Sequence, residues 1–353
     1  MRMRIGAGPL VPCTPATIPG RVVPGAPGVA VLEDVVYRPL RNPLLDQDPG
    51  WGIYGRDGAL IEAACYWRGP GRSLIGQSPR QDAGVAGHAS GTFVYGGVFI
   101  SHFGHFLLST LARLWPFADP FLASSLRDFP ILLHAASDPA DWFATPHVAE
   151  LFAALGLGPE RFVRLTEPSA ISRLIVPLPS LVEMSQVHPA YVHMTRAIGA
   201  RLSDGVASPP GGPVWLSRTR LPVATQGFEN EDALEAVLAG MGVEILYPET
   251  RPVGEMAALF ASRPVIAGTV ASAFHAALFC PRPAPMVVLS PSPMVNPSFP
   301  MLDQAAGHDA RYFHIESDHL GIDMRNRIWS TFRLRDPAAT AASLLAAMQD
   351  AAR

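Results

Sequence analysis

Apolar residues along this chain follow two alternating patterns. Short apolar runs of buried-strand type give way to stretches in which apolar positions recur three and four apart, as on one face of a helix. In the first half, residues 29–36 and 60–66 predict strands, with a Pro/Gly-rich loop at 42–58 between them. Trp51 and Tyr54 in that loop read either as core anchors or as sugar-stacking rings. Residues 93–100, FVYGGVFI, predict a strand, and Phe106, Leu107, Thr110, Leu111 and Leu114 then predict a helix that Pro116 ends. Strands at 131–134 and 173–177 and helices at 147–155 and 191–202 follow.

Residues 203–213, SDGVASPPGGP, break the pattern and read as a linker. Beyond it the alternation resumes. Strands are expected at 214–217, 243–247, 265–267 and 286–289, and helices at 230–240, 253–261 and from Ser272. A terminal helix is expected at 337–352. Strands alternating with helices imply parallel βαβ units. The expected organisation is two α/β domains, 1–205 and 212–335, with 336–353 packing back on the first.

Composition narrows the function classes. The chain of 353 residues is 48% hydrophobic and 16% charged, with a net charge of −3, which gives no support for general nucleic-acid binding. Cys13, Cys65 and Cys280 are too few and too scattered for a disulfide framework or a cysteine zinc site. No apolar run reaches the length of a transmembrane helix, and the Pro-rich start lacks the continuous apolar core of a signal peptide. A cytoplasmic protein is expected, with peripheral contact at the inner membrane left open.

Candidate chemistry lies at two strand-to-helix junctions. In the stretch 264–279, Gly268 and Thr269 are expected to break an apolar strand and Ser272 to open a helix. A small-residue turn before a helix start offers unpaired N–H groups and a positive dipole end to a phosphate; an ordinary crossover reads the same way. In the first half, His102 and His105 stand where strand 93–100 meets its helix, as cleft residues or as capping and core histidines. No histidine spacing marks a zinc site, and Asp323, Asp138 and Asp141 read as isolated surface carboxylates. No G-x-S-x-G elbow accompanies Ser101 or Ser109, so a hydrolase gains no support.

The order of these pieces carries a resemblance. Gly104-His105-Phe106-Leu107-Leu108 and Leu111-Ala112-Arg113-Leu114 come first. Ser217-Arg218, Asn230-Glu231, Pro248-Glu249, the segment 255–260 and the segment 266–279 follow. This ordered set resembles glycosyltransferase family 61. His102, Ser109, Gln226, Val270, Ala271 and Ala276 depart from the family's usual residues and resemble a divergent bacterial branch of capsular or exopolysaccharide type.

The resemblance implies a GT-B fold, with two Rossmann-like domains facing across a cleft. The 212–335 domain would bind a nucleotide-sugar and the 1–205 domain a glycan or lipid-linked acceptor. It implies inverting hexosyl or pentosyl transfer in polysaccharide biosynthesis, with no cofactor and no metal. Arg218, Arg220 and the helix start at Gly268, Thr269 and Ser272 would meet the diphosphate. Glu249 would accept from a ribose diol, and Asn230 would belong to the same site. His105, or His102, would be the base. Glu231 and Glu255 are expected at helix-start and packing positions. The alternative is a binding or scaffold protein that keeps the fold without turnover.

Overall fold

The first element among the described residues, the two-residue strand β1 (Val11–Pro12), does not join the strands that follow it in sequence. It pairs antiparallel with a strand some three hundred residues later, Val11 opposite His314. A computed structural model describes residues 10–42, 45, 49–82, 84–207, 210–221, 226–323 and 328–353. Parts of the expected loop 42–58 and linker 203–213, the chain start and the side chain of Asp323 fall outside the described residues. The chain divides into two units: Ile18–Leu202, and Ser203–Arg353 together with the segment up to Thr17. The first domain expected at 1–205 thus loses its opening segment, which covers a sheet edge of the other unit.

In the 18–202 unit the strands are β2 (Val29–Arg38), β3 (Gly52–Tyr54), β4 (Gly87–Val98), β5 (Ile131–His134), β6 (Phe162–Val163) and β7 (Ser169–Pro177). They form one sheet in the order β3-β2-β7-β4-β5-β6. The β7-β4-β5-β6 part is parallel, whereas β2 runs antiparallel to both β7 and β3. The antiparallel β2 departs from the parallel βαβ pattern expected for this half. From β2 the chain returns antiparallel into β3. Val35, Tyr37, Ile53, Tyr95, Leu132 and Leu174 form the core. Trp51 and Tyr54 are fully buried, which leaves them as core anchors and not as sugar platforms.

Residues 60–66 do not form the expected strand. They make a 3-10 turn, Glu62–Ala64, whose neighbouring carbonyls are taken by side chains. Buried Arg113 donates to the carbonyls of Ala63 and Cys65, each at 2.9 Å, and the Tyr95 hydroxyl donates to that of Ala64 at 3.2 Å. A helix at 146–154, α1 (Pro146–Ala154), and a longer one, α2 (Pro189–Leu202), lie close to the sequence expectation. Between β7 and α2 runs a hairpin of β8 (Leu181–Val182) and β9 (Gln186–Val187). Its turn contains Met184 at φ 63°.

The other unit contains β10 (Val214–Leu216), β11 (Glu244–Leu246), β12 (Ile266–Thr269), β13 (Met286–Ser290) and β14 (Ala310–His314). With β1 they form a sheet in the order β1-β14-β13-β12-β10-β11, and all but β1 are parallel. Numbered along the sequence, the five parallel strands lie in the order 2-1-3-4-5. Helices α3 (Glu231–Gly240), α4 (Val253–Ser262), α5 (Ser298–Ala306) and α6 (Pro337–Ala351) complete the unit. The sequence pattern missed β14, α5 and a small sheet of Gly227–Phe228, β15 (Ser317–Asp323) and β16 (Ile328–Leu334).

Helix α6, expected on the first domain, belongs to the core of its own unit. It packs on α3 and β13, and its Leu344 and Met348 sit in one core with Trp215, Leu234, Leu238 and Val287. Asp336 caps its start by accepting from the Ala339 N–H at 2.9 Å, with Pro337 in the first turn. Among the described residues no helix is long and apolar enough to cross a membrane.

Candidate functional site

Two clusters of polar groups stand at the carboxyl ends of parallel strands, one in each unit. In a 2-1-3-4-5 sheet the connections leave strands 1 and 3 toward opposite faces, and a crevice opens beyond their carboxyl ends. Those strands are β10 and β12, paired through Leu216 and Gly268. Ser217 and Arg218 extend β10; Val270, Ala271 and Ser272 follow β12.

The local geometry there differs from the sequence expectation at two positions. Gly268 and Thr269 lie inside strand β12, not in a turn. A Cβ on Gly268 would stand 2.8 Å from the Leu216 carbonyl and 3.2 Å from the Phe274 ring. The close approach of Leu216 and Phe274 by itself requires a glycine here. Thr269 is fully buried and donates its hydroxyl to Oε1 of Glu231 at 3.0 Å. The turn itself is Val270–Ala271, and Ser272 opens a 3-10 helix, Ser272–Phe279, in place of the expected α-helix. Ser272 is half-buried at its start.

Arg218 is partly buried. Its Nη1 donates to the Val270 carbonyl at 3.1 Å, while its buried Nε has no hydrogen-bond partner among the described residues. Burial lowers the guanidinium pKa and Glu231 opposes that shift, and the group keeps its charge. Arg220 is exposed and lies 3.6 Å over the Tyr247 ring. Glu249 is exposed in the short turn after β11, the strand beside β10. Arg218, Arg220, Glu249 and Ser272 thus share one edge of the sheet. Asn230 does not offer its amide to that edge: it both donates to and accepts from the Leu334 backbone, at 2.9 and 3.0 Å, and so fastens α3 to β16.

Two glutamates of α3 take part where the sequence expectation gave one of them only a helix-start role. Glu231, Leu234, Glu235 and Leu238 share the i, i+3, i+4, i+7 face of α3, and all four are buried. That spacing was the available signal: carboxylates on an apolar stripe. Burial raises the Glu231 carboxyl to about 7, helped by Glu235 and opposed by Arg218 and the Thr269 hydroxyl. Burial also raises Glu235, against the hydroxyls of Ser217 and Thr219. Those hydroxyls stand 2.9 Å apart, and Thr219 reaches Glu235 at 3.4 Å. Glu255, by contrast, is an exposed partner of Arg251 at 3.2 Å.

The second cluster lies where β4 ends. The expected regular helix is a graded one: an α-turn at Phe103–His105, a π segment at Phe106–Thr110 and a 3-10 turn at Leu111–Arg113. Pro116 does not end it but begins a further 3-10 turn, Trp115–Ala118. The wide π turn is held from outside. The Tyr191 hydroxyl donates to the Leu107 carbonyl at 2.9 Å, and Thr110 bridges Val98 and Ile100 at 3.1 and 3.0 Å. Single π turns of this kind are frequent beside functional groups.

His102 is exposed just before the α-turn, with its ring 5.5 Å from that of His105. Burial, His105 and His147 lower its pKa. His105 is one-third exposed, and its Nδ1 stands 3.4 Å from Oε2 of Glu183 in the β8–β9 turn. Glu183 is 4% exposed, and its other oxygen accepts from Arg68 at 2.9 Å. Burial pushes the Glu183 carboxyl up, but His105 and Arg68 outweigh it and hold the group below its ordinary value. No local pattern marks Glu183 or Arg68, because only the folded hairpin brings them to His105.

With this geometry in hand, the comparison with known families is informative. The model for glycosyltransferase 61 matches residues 103–287, more than half of the chain. The chain belongs to glycosyltransferase family 61. No curated protein matches it. The matched segment opens at the α-turn carrying His105 and runs through β10, Arg218, Glu231, Thr269 and Ser272 to β13. Membership in family 61 supports transferase activity, with a sugar donor and a glycan acceptor in general terms. Among the described residues no group of three or more His, Cys, Asp or Glu is placed to hold a metal ion.

Proposed function

We propose that this family 61 protein moves a sugar from a nucleotide-sugar to a hydroxyl of a glycan or lipid-linked acceptor, with inversion, in polysaccharide biosynthesis. The observation that carries this reading is the position of Arg218 beside the start of the 272–279 helix, at the switch between β10 and β12. A leaving diphosphate gains one negative charge as the anomeric bond breaks, and a guanidinium with neighbouring helix N–H groups answers that charge. The partly buried setting strengthens each contact. Arg220 and Glu249, further along the same edge, suit the outer phosphate and the ribose diol.

This reading takes the 203–353 unit as the donor side and the 18–202 unit as the acceptor side of a GT-B enzyme that works without a cofactor at the cytoplasmic membrane face. His105 takes the acceptor proton as the hydroxyl oxygen bonds to the anomeric carbon. The anomeric carbon–phosphate oxygen bond breaks, and its electron pair leaves with the diphosphate. His102 is the alternative base.

Titration calorimetry of nucleoside diphosphates against wild type and Arg218→Ala tests the donor half. Loss of one charge-assisted contact costs about 1.5–3 kcal/mol, roughly 10- to 150-fold in affinity. Equal affinities would remove Arg218 from the site. Tight binding by the wild type without transfer to any acceptor would favour a scaffold instead.

A further inference from the structure

The turn of hairpin β8–β9 carries Glu183, the most buried carboxylate among the described residues of the 18–202 unit, to the candidate base. Met184 adopts φ 63°, and the turn is closed by the Ser185 N–H donating to the Val182 carbonyl at 2.9 Å. The Gly69 N–H donates to the Glu183 carbonyl at 3.0 Å, so the main chain of this residue is fixed as well as its side chain. The two carboxylate oxygens have different partners. Oε1 accepts from Arg68. Oε2 is buried, and the Nδ1 of His105 stands 3.4 Å from it, with no hydrogen bond of ordinary geometry satisfying it among the described residues. Catalytic hydrogen bonds are often this long before substrate binds.

We infer that Glu183 is the positioning residue for His105: it holds the Nδ1–H tautomer, leaves the Nε2 lone pair for the acceptor hydroxyl, and answers the imidazolium charge that forms on proton transfer. The chemistry rests on the transferase reading, whereas the tautomer does not. An imidazole has one N–H when neutral, and the partner of one nitrogen decides which nitrogen carries it. An anionic carboxylate can only accept, so it selects Nδ1–H. Arg68 adds a second function. By sharing the carboxylate it disfavours protonation of Glu183, so that the proton taken from the acceptor hydroxyl stays on the ring. The His102 ring lies 5.5 Å from that of His105, and the Tyr66 hydroxyl is an electrostatic neighbour of Glu183 and Arg68. Tyr66 is engaged with Ser109 at 2.9 Å and does not compete for Oε2.

The balance of the step is closed within the site. The acceptor O–H bond breaks, its oxygen bonds to the anomeric carbon, and the proton moves to Nε2 of His105. The charge pair Glu183 carboxylate and His105 imidazolium then persists until the proton passes to solvent, which the one-third exposure of His105 permits. Without the carboxylate the ring can rotate or take the Nε2–H tautomer, and the lone pair no longer faces the hydroxyl.

The test uses the full-length protein labelled with nitrogen-15 in histidine. His105 is assigned from the signal lost in His105→Asn, and its tautomer is read from the two ring-nitrogen shifts above the histidine titration. Wild type is expected to show Nδ1–H with a bare Nε2, and Glu183→Gln a mixture or the reverse. An Nε2–H tautomer in the wild type overturns the inference with no variant needed. A Glu183→Gln protein that keeps the wild-type tautomer and turnover also overturns it. In transfer assays Glu183→Gln is expected to lower kcat about 10- to 100-fold, with donor KM and nucleoside diphosphate affinity within about twofold of wild type. A matching loss of nucleotide affinity would mean a general structural effect and would also count against it. If the wild type transfers no sugar, the transferase reading fails while the tautomer still decides the role of Glu183.

Discussion

Glu183 and Glu231 are buried to the same degree, 4% and 3% exposed, and each has an arginine among its electrostatic neighbours. Their carboxyls nevertheless shift in opposite directions. Glu183 touches Arg68 at 2.9 Å and His105 at 3.4 Å, and these contacts outweigh burial. Glu231 receives one hydroxyl, from Thr269, feels Arg218 through space, and shares its helix face with a second buried glutamate; burial wins. Burial alone therefore does not set the charge of a carboxylate. The number of direct cationic contacts and the presence of a like charge decide it.

The contrast gives the two carboxyls opposite links between stability and pH. The folded-state value for Glu231, about 7, stands above its ordinary 4.5, so the native state binds that proton more tightly than the unfolded chain. The stability tied to it is complete below pH 4.5 and is lost as the pH rises to about 7. For Glu183 the sign is reversed. Its folded value is depressed, so its contribution is present above the ordinary carboxylate value and lost as the pH falls through the lowered one.

Replacing each glutamate sharpens the comparison. The largest effect is expected for Glu231→Gln. Relative to wild type it gains about 3 kcal/mol of stability between pH 4.5 and pH 8, measured as the difference in urea unfolding at the two values. A parallel pH dependence for both proteins would show that Glu231 is ionised throughout. Next comes Glu183→Gln, expected to lose about 2 kcal/mol at neutral pH and progressively less in acid. A loss that grew in acid would break the contrast. Thr269→Val removes the one hydroxyl that favours ionised Glu231 and should cost about 1 kcal/mol above pH 7, and less at pH 4.5. The smallest effect belongs to Glu255→Gln. Its pair with Arg251 is exposed, so unfolding should change by under about 0.5 kcal/mol and no further in high salt.

Much of the chain was legible because its signals are local. The 203–353 unit alternates strand and helix patterns, and the strands at 214–216, 244–246 and 286–290 stand within a few residues of the expected positions. The ordered pieces from Gly104-His105 to the 266–279 segment pointed to the family that the matched region then showed. Where reading failed, the cause was an interaction between distant segments. Residues 60–66 have a strand pattern, but Arg113 and Tyr95 claim their carbonyls. Gly268 looked like a turn glycine and is a strand glycine pressed by Leu216 and Phe274. Asn230 looked like a site residue and is a tie to Leu334.

By itself, the sequence determined the alternation of elements, the break near 203–213, and the presence of His105, Arg218 and a small-residue strand end in the right order. These depend on spacing along a few turns or on a family pattern. Only the tertiary structure decided that β1 would pair with β14, that the parallel strands would take the order 2-1-3-4-5, and that Glu183 would reach His105 while Glu231 reached Thr269. Strand order and side-chain partners are set by which distant surfaces bury one another, and a carboxylate's charge is then set by those partners. Neither quantity is a property of a short stretch of chain.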